Sequence, residues 1–350
     1  VFLINVPVGI VALASVVRFV EDPPWVQADR ARARDIDFTG IGLIALGLGS
    51  LQILLDRGED LDWFNSPTIR LFALTAAVGI AGATAWLLLT DRPVVDLRAL
   101  GDRNFGVGVV CISAIGAILY ATNLLIPAFA QVWLGYTALL AGWLLTPGAA
   151  LMILFIPFVA KFALPNFQTR HLLAFGFFAL GFSSWYASRL NLQIDFWTLA
   201  SFRMMQTVGL AFLFVPNSTL AYSTLPRRHN ADATALYAMF RNVSASIGIS
   251  VTMAMVQQRT EMHRAYLAPH LSPLTTPYTE TLGQFSAALR AAGQTAVAAR
   301  HAAMGLLNQM LTAQAAAMAY SDLFLFTAVA AFAAVPLTFL FRGSTAGGRG

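Results

Sequence analysis

Residues 105–130 read FGVGVVCISAIGAILYATNLLIPAFA and contain no charged side chain. A helix that crosses a hydrocarbon core about 30 Å thick needs roughly 20 apolar residues, whereas a membrane-spanning β-strand needs about 10 alternating ones. This run is too long and too evenly apolar to be such a strand. It therefore predicts a helix that spans a membrane.

Similar runs recur along the whole chain. The nine predicted spans are residues 1–20, 38–56, 69–90, 105–130, 137–163, 171–188, 196–220, 233–256 and 321–341. Of the 350 residues, 57% are hydrophobic and 11% are charged, and the mean hydropathy is +0.67. Soluble domains carry roughly 25% charged residues, so most of this surface is expected to face lipid. The sequence predicts an all-α polytopic membrane protein embedded in the lipid bilayer.

The basic residues indicate how the chain is oriented. Thirteen of the 22 Lys and Arg residues fall in one set of alternate loops, and three fall in the short loops of the other side. Because short cytoplasmic loops are enriched in Lys and Arg, this predicts a cytoplasmic C-terminus and, with nine spans, an outer-side Val1. The net charge of +5 is interpreted as this signal, and no nucleic-acid partner is predicted. No basic stretch precedes the first apolar run, which argues against a signal peptide.

Charged residues inside the predicted spans are cations rather than acids. All 17 Asp and Glu residues fall in loops or at span ends, although proton-driven carriers usually need a titratable group within the membrane. Arg203 and Arg241 lie well inside spans, where facing lipid would cost about 2.5–3.5 kcal/mol each. Two interpretations stay open. One is a structural role with bonds to helix carbonyls or to Gln206 and Asn242, and the other is contact with a substrate or with a carboxylate outside this chain.

Uncharged polar residues also lie within the spans. Tyr120 and Asn123 are three residues apart and so share a helix face. Most such residues form hydrogen bonds between helices, and a minority line a transport path. The candidate substrate-path residues are Arg203, Arg241, Asn123, Tyr120, Gln206, Asn217, Asn242 and Gln52.

The pattern of histidines and acids argues against an enzyme or a metal site. Four of the five histidines lie outside the predicted spans, and His171 is the first residue of one. His263 and His270 are seven residues apart with no acidic residue between them, which matches no metal-binding motif. Neither catalysis nor a bound metal is predicted.

Segment 257–320 is predicted to be an insert on the outer side of the membrane. It begins polar, and its later half is rich in alanine and reads as an amphipathic helix. Two interpretations stay open. The segment either extends or caps the flanking helices, or it docks on a periplasmic partner.

Five stretches carry a resemblance to a known family. They are FLINVPVG (2–9), LQILLDRGEDLDWFNS (51–66), DRPVVDLRALGDRNFGVG (91–108), RNVSASIG (241–248) and the R-x-x-Q-x-x-G pattern at Arg203, Gln206 and Gly209. In their order along the chain, these stretches resemble the fourteen-span drug:proton antiporters of the major facilitator superfamily. The signature residues are Asn5, Pro7, Gly9, Asp56, Asp60, Asp62 and Trp63.

The resemblance implies a domain organisation. Residues 1–20 would be the last helix of the N-terminal bundle, and residues 38–90 would form two linker helices. Residues 105–341 would form a six-helix C-terminal bundle that includes the periplasmic insert 257–320. The cytoplasmic segments would be the loops 21–37 and 91–104 and the tail 342–350. Nine of fourteen membrane helices would be present. Val1 would then fall partway through a transporter, about five spans in, and the family's proton-coupling acid would precede it.

One loop departs from the family pattern. The cytoplasmic gate loop of the family combines glycine, basic and acidic residues, whereas the corresponding stretch here reads AKFALPNFQTRHLL (160–173). Lys161 and Arg170 are retained, but no acidic residue lies between them. The resemblance therefore implies that Lys161 and Arg170 are gate-loop residues, without an acid in the loop to form a salt bridge.

The resemblance implies a function. It is that of a proton-driven multidrug efflux transporter of the bacterial inner membrane, which exports amphipathic or hydrophobic compounds by alternating access. The proton would be the coupling ion, with no other cofactor, and a periplasmic adaptor (membrane fusion protein) and an outer-membrane channel would be partners. Two alternatives stay open. One is an exporter of a specific metabolite or organic acid bound by Arg203 and Arg241, and the other is a non-functional truncated fragment.

Overall fold

The computed structural model describes residues 5–19, 37–91, 93–226, 230–271 and 276–342. Every regular element within these ranges is a helix. Of the predicted loop 21–37 only Asp37 is described, and of the predicted tail 342–350 only Arg342; the rest of both predictions lies outside the described residues.

Ten helices make up the described chain. They are α1 Asn5–Phe19, α2 Phe38–Arg57, α3 Pro67–Leu89, α4 Arg103–Val132, α5 Ala138–Phe158, α6 Thr169–Ala187, α7 Phe196–Ala221, α8 Asn230–Leu267, α9 Thr276–Ala291 and α10 Ala296–Ala334. A π-helical turn, Val159–Ala163, and the short stretch Leu164–Asn166 continue α5. Short 3₁₀ turns follow α8 and α10 at Ala268–His270 and Pro336–Leu340.

The all-α prediction is confirmed, but the predicted count of nine spans is not. A helix covers each of the nine predicted segments, and seven of them are long and apolar enough to cross a membrane: α2, α3, α4, α5, α7, α8 and α10. α1 has 15 residues, fewer than the roughly 20 that a span needs. α6 has 19 residues, but Arg170 and His171 in its first turn lower its hydropathy.

The chain divides into two compact units, Val1–Thr39 and Gly40–Gly350. In the first unit, α1 exposes every side chain from Val6 to Phe19. Arg18 lies in its last turn, where a cation interacts favourably with the helix dipole.

In the second unit, α4 and α7 are the central helices. In their most apolar stretches 56% of residues are buried, against 17–22% in α2, α3, α5 and α8. α4 packs against α7, α8 and α10, and α7 packs against α5 and α6. One core cluster includes Phe129, Leu144 and Phe324, and a second includes Ile112 and Phe177. Large apolar side chains on the outer helices are exposed, as expected of surfaces that face lipid.

Glycine allows α2 and α3 to cross in backbone contact. A Cβ atom added at Gly79 would lie 2.5 Å from the backbone nitrogen of Gly47, so neither position has room for a side chain. Nearby, the Thr75 hydroxyl donates a hydrogen bond to the Ser50 hydroxyl at 3.0 Å. Close contact through small residues is how membrane helices associate without a hydrophobic driving force.

The insert 257–320 extends the flanking helices and adds one helix of its own. α8 continues without interruption past residue 257, and α10 begins at Ala296, where the Thr295 hydroxyl accepts a hydrogen bond from the Ala298 backbone N–H. α9 packs against α10. The helix that contains the predicted span from residue 321 therefore begins at Ala296, because the alanine-rich stretch before the span has high helix propensity and joins the same helix.

Candidate functional site

Arg203 begins a chain of hydrogen bonds that crosses the bundle interior from α7 to α4. Its guanidinium donates to Gln206 Oε1 at 2.5 Å, and Gln206 Nε2 donates to Thr122 Oγ1 at 2.6 Å. The Thr122 hydroxyl in turn donates to the Ile118 carbonyl at 2.8 Å. Gln206 and Thr122 are buried. The bond to Gln206 is a structural bond that one interpretation of the sequence gives to Arg203, but Arg203 Nε is buried and has no partner in the part of the chain that the structure describes.

Arg241 lies on α8 where the backbone of this helix passes close to Gly116 of α4. A Cβ atom added at Gly116 would lie 2.7 Å from the Arg241 carbonyl oxygen and 3.4 Å from its Cγ. The Arg241 side chain is half-buried, its Nε is buried, and within the described residues its guanidinium forms no hydrogen bond or ion pair. The neighbouring Asn242 is exposed and does not bind it. The bond between Arg241 and Asn242 that one interpretation of the sequence gives is therefore not formed. The guanidinium of Arg241 has no hydrogen-bond partner among the described residues.

Asn217 holds three helices together rather than facing an open path. Its Nδ2 donates to the Gly108 carbonyl of α4 at 3.0 Å and to the Tyr237 hydroxyl of α8 at 2.7 Å. The side chain is fully buried, and its Oδ1 has no partner in the described chain. Buried polar bonds of this kind join helices in membranes.

Two other predicted residues, Tyr120 and Asn123, lie on α4 beside Thr122. Tyr120 is 39% exposed, and the Asn123 Oδ1 atom is buried without a partner. Neither side chain is hydrogen-bonded to Arg203 or Arg241. The structure thus joins Arg203, Gln206 and Thr122 directly and leaves Oδ1 of Asn123, the residue after Thr122 on α4, without a partner among the described residues.

Gln52 belongs to a different contact. Its Nε2 donates to both carboxylate oxygens of Asp56 on the next turn of α2, at 2.9 and 3.0 Å. Its Oε1 accepts from the Ser246 hydroxyl of α8 at 2.8 Å. Gln52 therefore fastens α2 to the bundle and is not part of the Arg203 network.

The predicted gate loop is much shorter than expected. Lys161 lies in the π-helical turn after α5, and the helix continues to Asn166, so that two residues separate it from α6. Arg170 lies in the first turn of α6 and donates to Gln168 Oε1 at 2.9 Å. π-helical turns occur often at functional sites and bend the helix in which they occur.

The signature residues 56–63 form the turn between α2 and α3. Asp62 and Trp63 have positive φ angles of 56° and 46°. The Trp63 indole N–H donates to Glu59 Oε2 at 3.0 Å, and an exposed ion pair joins Arg57 to Asp60 at 3.8 Å. Pro7 and Gly9 are exposed on α1, where Asn5 is the first residue. The residues from Asp60 to Trp63 shape this turn, and none of them is hydrogen-bonded to Arg203, Gln206 or Thr122.

One cluster of charged residues was not predicted from the sequence. His263 Nε2 lies 2.8 Å from Asp322 Oδ2, and the Arg259 guanidinium lies 3.7 Å from the same oxygen. His263 and Arg259 are one helical turn apart on α8, a spacing that the sequence does show. Their contact with α10 could not be inferred, because it depends on how the long extensions of both helices pair.

Comparison with known proteins was made on the whole chain. The model of the Major Facilitator Superfamily matches residues 1–249. The multidrug export protein EmrB of Escherichia coli is 34% identical over 275 residues, which cover 78% of this chain and 52% of EmrB. The fatty acid resistance protein FarB of Neisseria gonorrhoeae is 27% identical over 347 residues, 97% of this chain and 64% of FarB.

A third relative matches nearly the whole chain. The colistin resistance protein EmrB of Acinetobacter baumannii is 27% identical over 343 residues, which cover 98% of this chain and 66% of that protein. The chain thus spans about half to two thirds of the length of these curated relatives.

Proposed function

Because the chain belongs to the Major Facilitator Superfamily, whose members are transporters, we propose that it forms part of a proton-driven exporter of amphipathic or hydrophobic compounds. The similarity to multidrug export proteins supports this cargo class. The proton would be the coupling ion. No catalytic role is proposed for any residue.

The observation that carries the proposal is the Arg203 network together with Arg241. Both cations lie within predicted membrane spans, and Arg203 Nε, Arg241 Nε and Asn123 Oδ1 are buried without hydrogen-bond partners among the described residues. Burying an unpaired polar group costs free energy, so these atoms are expected to be satisfied when the protein works. A few polar groups within apolar walls suit the binding of an amphipathic compound.

Transport would proceed by alternating access between two bundles around a site near the bilayer midplane. Residues 105–341 would supply the C-terminal bundle, 38–90 the linker helices, and residues 1–20 a helix of the other bundle. Lys161 and Arg170 would act near the cytoplasmic gate. The protein would lie in the bacterial inner membrane with a cytoplasmic C-terminus, and a periplasmic adaptor and an outer-membrane channel would complete the export path.

A second candidate is an exporter of compounds that carry a carboxylate. The guanidinium of Arg241 has no partner in the described chain, and guanidinium groups bind carboxylates bidentately. The relative FarB is named for fatty acid resistance, which is consistent with such a cargo. The two candidates share one transport cycle and differ in the charge of the compound.

The test is efflux from an efflux-deficient bacterial host that expresses the gene for this protein at its full natural length. Efflux of a cationic dye and resistance to a fatty acid are measured with and without a proton uncoupler. Arg241→Ala is compared with Arg290→Ala, which removes an exposed arginine of α9, at equal membrane levels.

The outcomes separate the candidates. Uncoupler-sensitive dye efflux supports the drug exporter, and fatty acid resistance that depends on Arg241 supports the carboxylate exporter. If expression is normal but neither compound is moved, or if movement is insensitive to the uncoupler, the proposal of proton-driven export is wrong.

A further inference from the structure

The C-terminal part of α8 and the interior of α10 hold a hydrogen-bonded pair of titratable residues. His263 Nε2 and Asp322 Oδ2 are 2.8 Å apart, although 59 residues separate them in the chain. The His263 side chain is 13% exposed, whereas Asp322 is 36% exposed. The distance is that of a direct hydrogen bond between an imidazole and a carboxylate.

The other charged groups around the pair belong to α8. Arg259 lies 3.7 Å from Asp322 Oδ2 and is 43% exposed, so this ion pair is weak compared with the imidazole contact. Arg264 is turned away and donates to Asn308 Oδ1 of α10 at 2.9 Å. The segment between α6 and α7 contributes Leu190 and Asn191, which carry no charge. One carboxylate thus faces one guanidinium and one imidazole.

A cavity of about 270 Å³ with a mixed polar and apolar lining adjoins the pair, and its apolar residues are Leu190, Ala317 and Met318. The polar residues of its lining are His263, Asp322, Asn191, Gln314 and Ser321. A water molecule occupies about 30 Å³ and needs two to four polar partners, so the cavity has both the room and the groups to hold several waters. Water in this cavity would connect the imidazole with the surroundings.

Asp322 also borders a second cavity, of about 300 Å³. Arg259 and the apolar residues Met255, Leu325, Phe326 and Val329 complete its lining. The carboxylate of Asp322 therefore borders two cavities. The cavity on the His263 side has a mixed polar and apolar lining, and the cavity on the Arg259 side is mostly apolar. A change of charge at the His263–Asp322 pair therefore changes the electrostatic potential in both cavities.

We propose that His263 and Asp322 form a proton-binding site between α8 and α10. With the Nε2 hydrogen donated to Asp322, the proton is taken up on Nδ1, which has no hydrogen-bond partner among the described residues. The carboxylate accepts from Nε2 whether the ring is neutral or charged, so uptake breaks no bond. Histidine is the side chain whose charge normally changes near physiological pH.

Uptake has a consequence for Arg259. Both cations would then approach the same oxygen, Asp322 Oδ2, and the charged imidazole at 2.8 Å holds it more strongly than the guanidinium at 3.7 Å. The attraction that holds Arg259 beside Asp322 is thereby weakened, while the hydrogen bond between His263 and Asp322 is kept. In this way the charge of the His263 imidazole is linked to the position of the Arg259 charge, which a compound bound in the apolar cavity would contact.

This inference rests on the proposed proton-driven transport, and the experiment distinguishes the two. The full-length protein is reconstituted in liposomes, and two processes are measured: accumulation driven by a pH gradient, and exchange of labelled for unlabelled compound without a gradient. His263→Gln and Asp322→Asn are expected to lose gradient-driven accumulation and to keep exchange.

Matched controls remove the same chemical groups elsewhere on the same helices. Glu261→Gln on α8 and His301→Gln on α10 alter exposed residues and are expected to leave both processes unchanged. Absence of gradient-driven accumulation in the wild type would refute the proposed function. If the wild type accumulates compound, the proton-binding site is refuted by variants that still do so, or by variants that lose exchange as well, since the latter indicates a structural role.

Discussion

Arg203 and Arg241 have the same residue type and a similar depth in the sequence pattern, but the structure gives them different surroundings. Arg203 donates to the buried Gln206, which donates to Thr122, so its charge is part of a network that fixes α7 against α4. Arg241 has no such network within the described residues. The sequence could predict that both face away from lipid, but not which one is paired, because pairing depends on the rotation of each helix.

The difference predicts opposite effects of one substitution. Arg241→Met keeps an unbranched side chain and removes a charge that is costly within a membrane, so the melting temperature is expected to stay equal or to rise. Arg203→Met leaves the Gln206 carbonyl without its donor and is expected to cost about 1–3 kcal/mol. Thermal unfolding of the purified full-length variants measures both. A lower melting temperature for Arg241→Met would mean that a group outside the described chain already pairs with Arg241.

At the scale of elements, the membrane helices were predictable and their ends were not. Apolar length identified a helix in each of nine segments, because a continuous apolar run has only one stable form in lipid. An extension of the flanking helices was one of two open interpretations of segment 257–320, but the end of α8 at Leu267 and the start of α10 at Ala296 were not assigned, because the sequence does not show where such long helices end or how they pair. The contact of His263 with Asp322 was missed for the same reason.

The crossing of α4 and α8 is expected to depend on glycine. A Cβ atom at Gly116 would lie 2.7 Å from the Arg241 carbonyl oxygen, so Gly116→Val must push the two helices apart. Overpacking of this kind typically costs about 1–3 kcal/mol. The melting temperature and the transport rate are both expected to fall.

The control for this crossing is Gly142→Val on α5, where an added Cβ atom meets nothing within 4 Å. It introduces the same β-branched residue into a helix at an open position. Equal losses of stability in both variants would show that helix propensity, and not the close approach of α4 and α8, sets the cost.

The start of α7 is expected to depend on pH. Hydrogen bonds from the Thr198 hydroxyl and from the backbone N–H groups of Trp197 and Thr198 lower the pKa of Asp195 below its ordinary value of 3.8. A carboxylate whose pKa is lower when folded stabilises the fold above its unfolded value, and this contribution is lost as the pH falls through the folded value.

Asp195→Ala is therefore expected to lower the melting temperature at neutral pH, and the difference from the wild type should shrink below about pH 4. Thermal unfolding at two pH values measures it. Asp60→Ala, which removes an exposed carboxylate, serves as the control and should leave the melting temperature unchanged. A difference for Asp195→Ala that persists in acid would assign its effect to packing.

At the scale of the molecule from Gly40 onward, α2 and α3 are attached to the bundle through α8. The Ser246 hydroxyl donates to Gln52, and a cavity of about 290 Å³ is lined by α2 and α3 on one side and by α8 on the other, with Ile44, Ile80 and Met239 among its residues. Composition and the order of motifs predicted two linker helices next to a bundle. They could not predict this attachment, because Gln52 and Ser246 are 194 residues apart and neither belongs to a charged pair.

If α2 and the bundle move as one body, joining them should not impair transport. Gln52→Cys with Ser246→Cys places two thiols at positions whose side chains are now in hydrogen-bond contact, and the chain's single native cysteine, Cys111, is buried on α4 and out of reach. A short thiol cross-linker applied to the full-length protein, with its other cysteines replaced, is expected to leave exchange and gradient-driven accumulation near the uncross-linked rates. Each single-cysteine variant treated with the same reagent controls for its chemical effect.

A large loss of transport only in the cross-linked double variant would mean that α2 slides along α8 during the cycle. The hydrogen bond between Gln52 and Ser246 would then be broken and remade in each turnover.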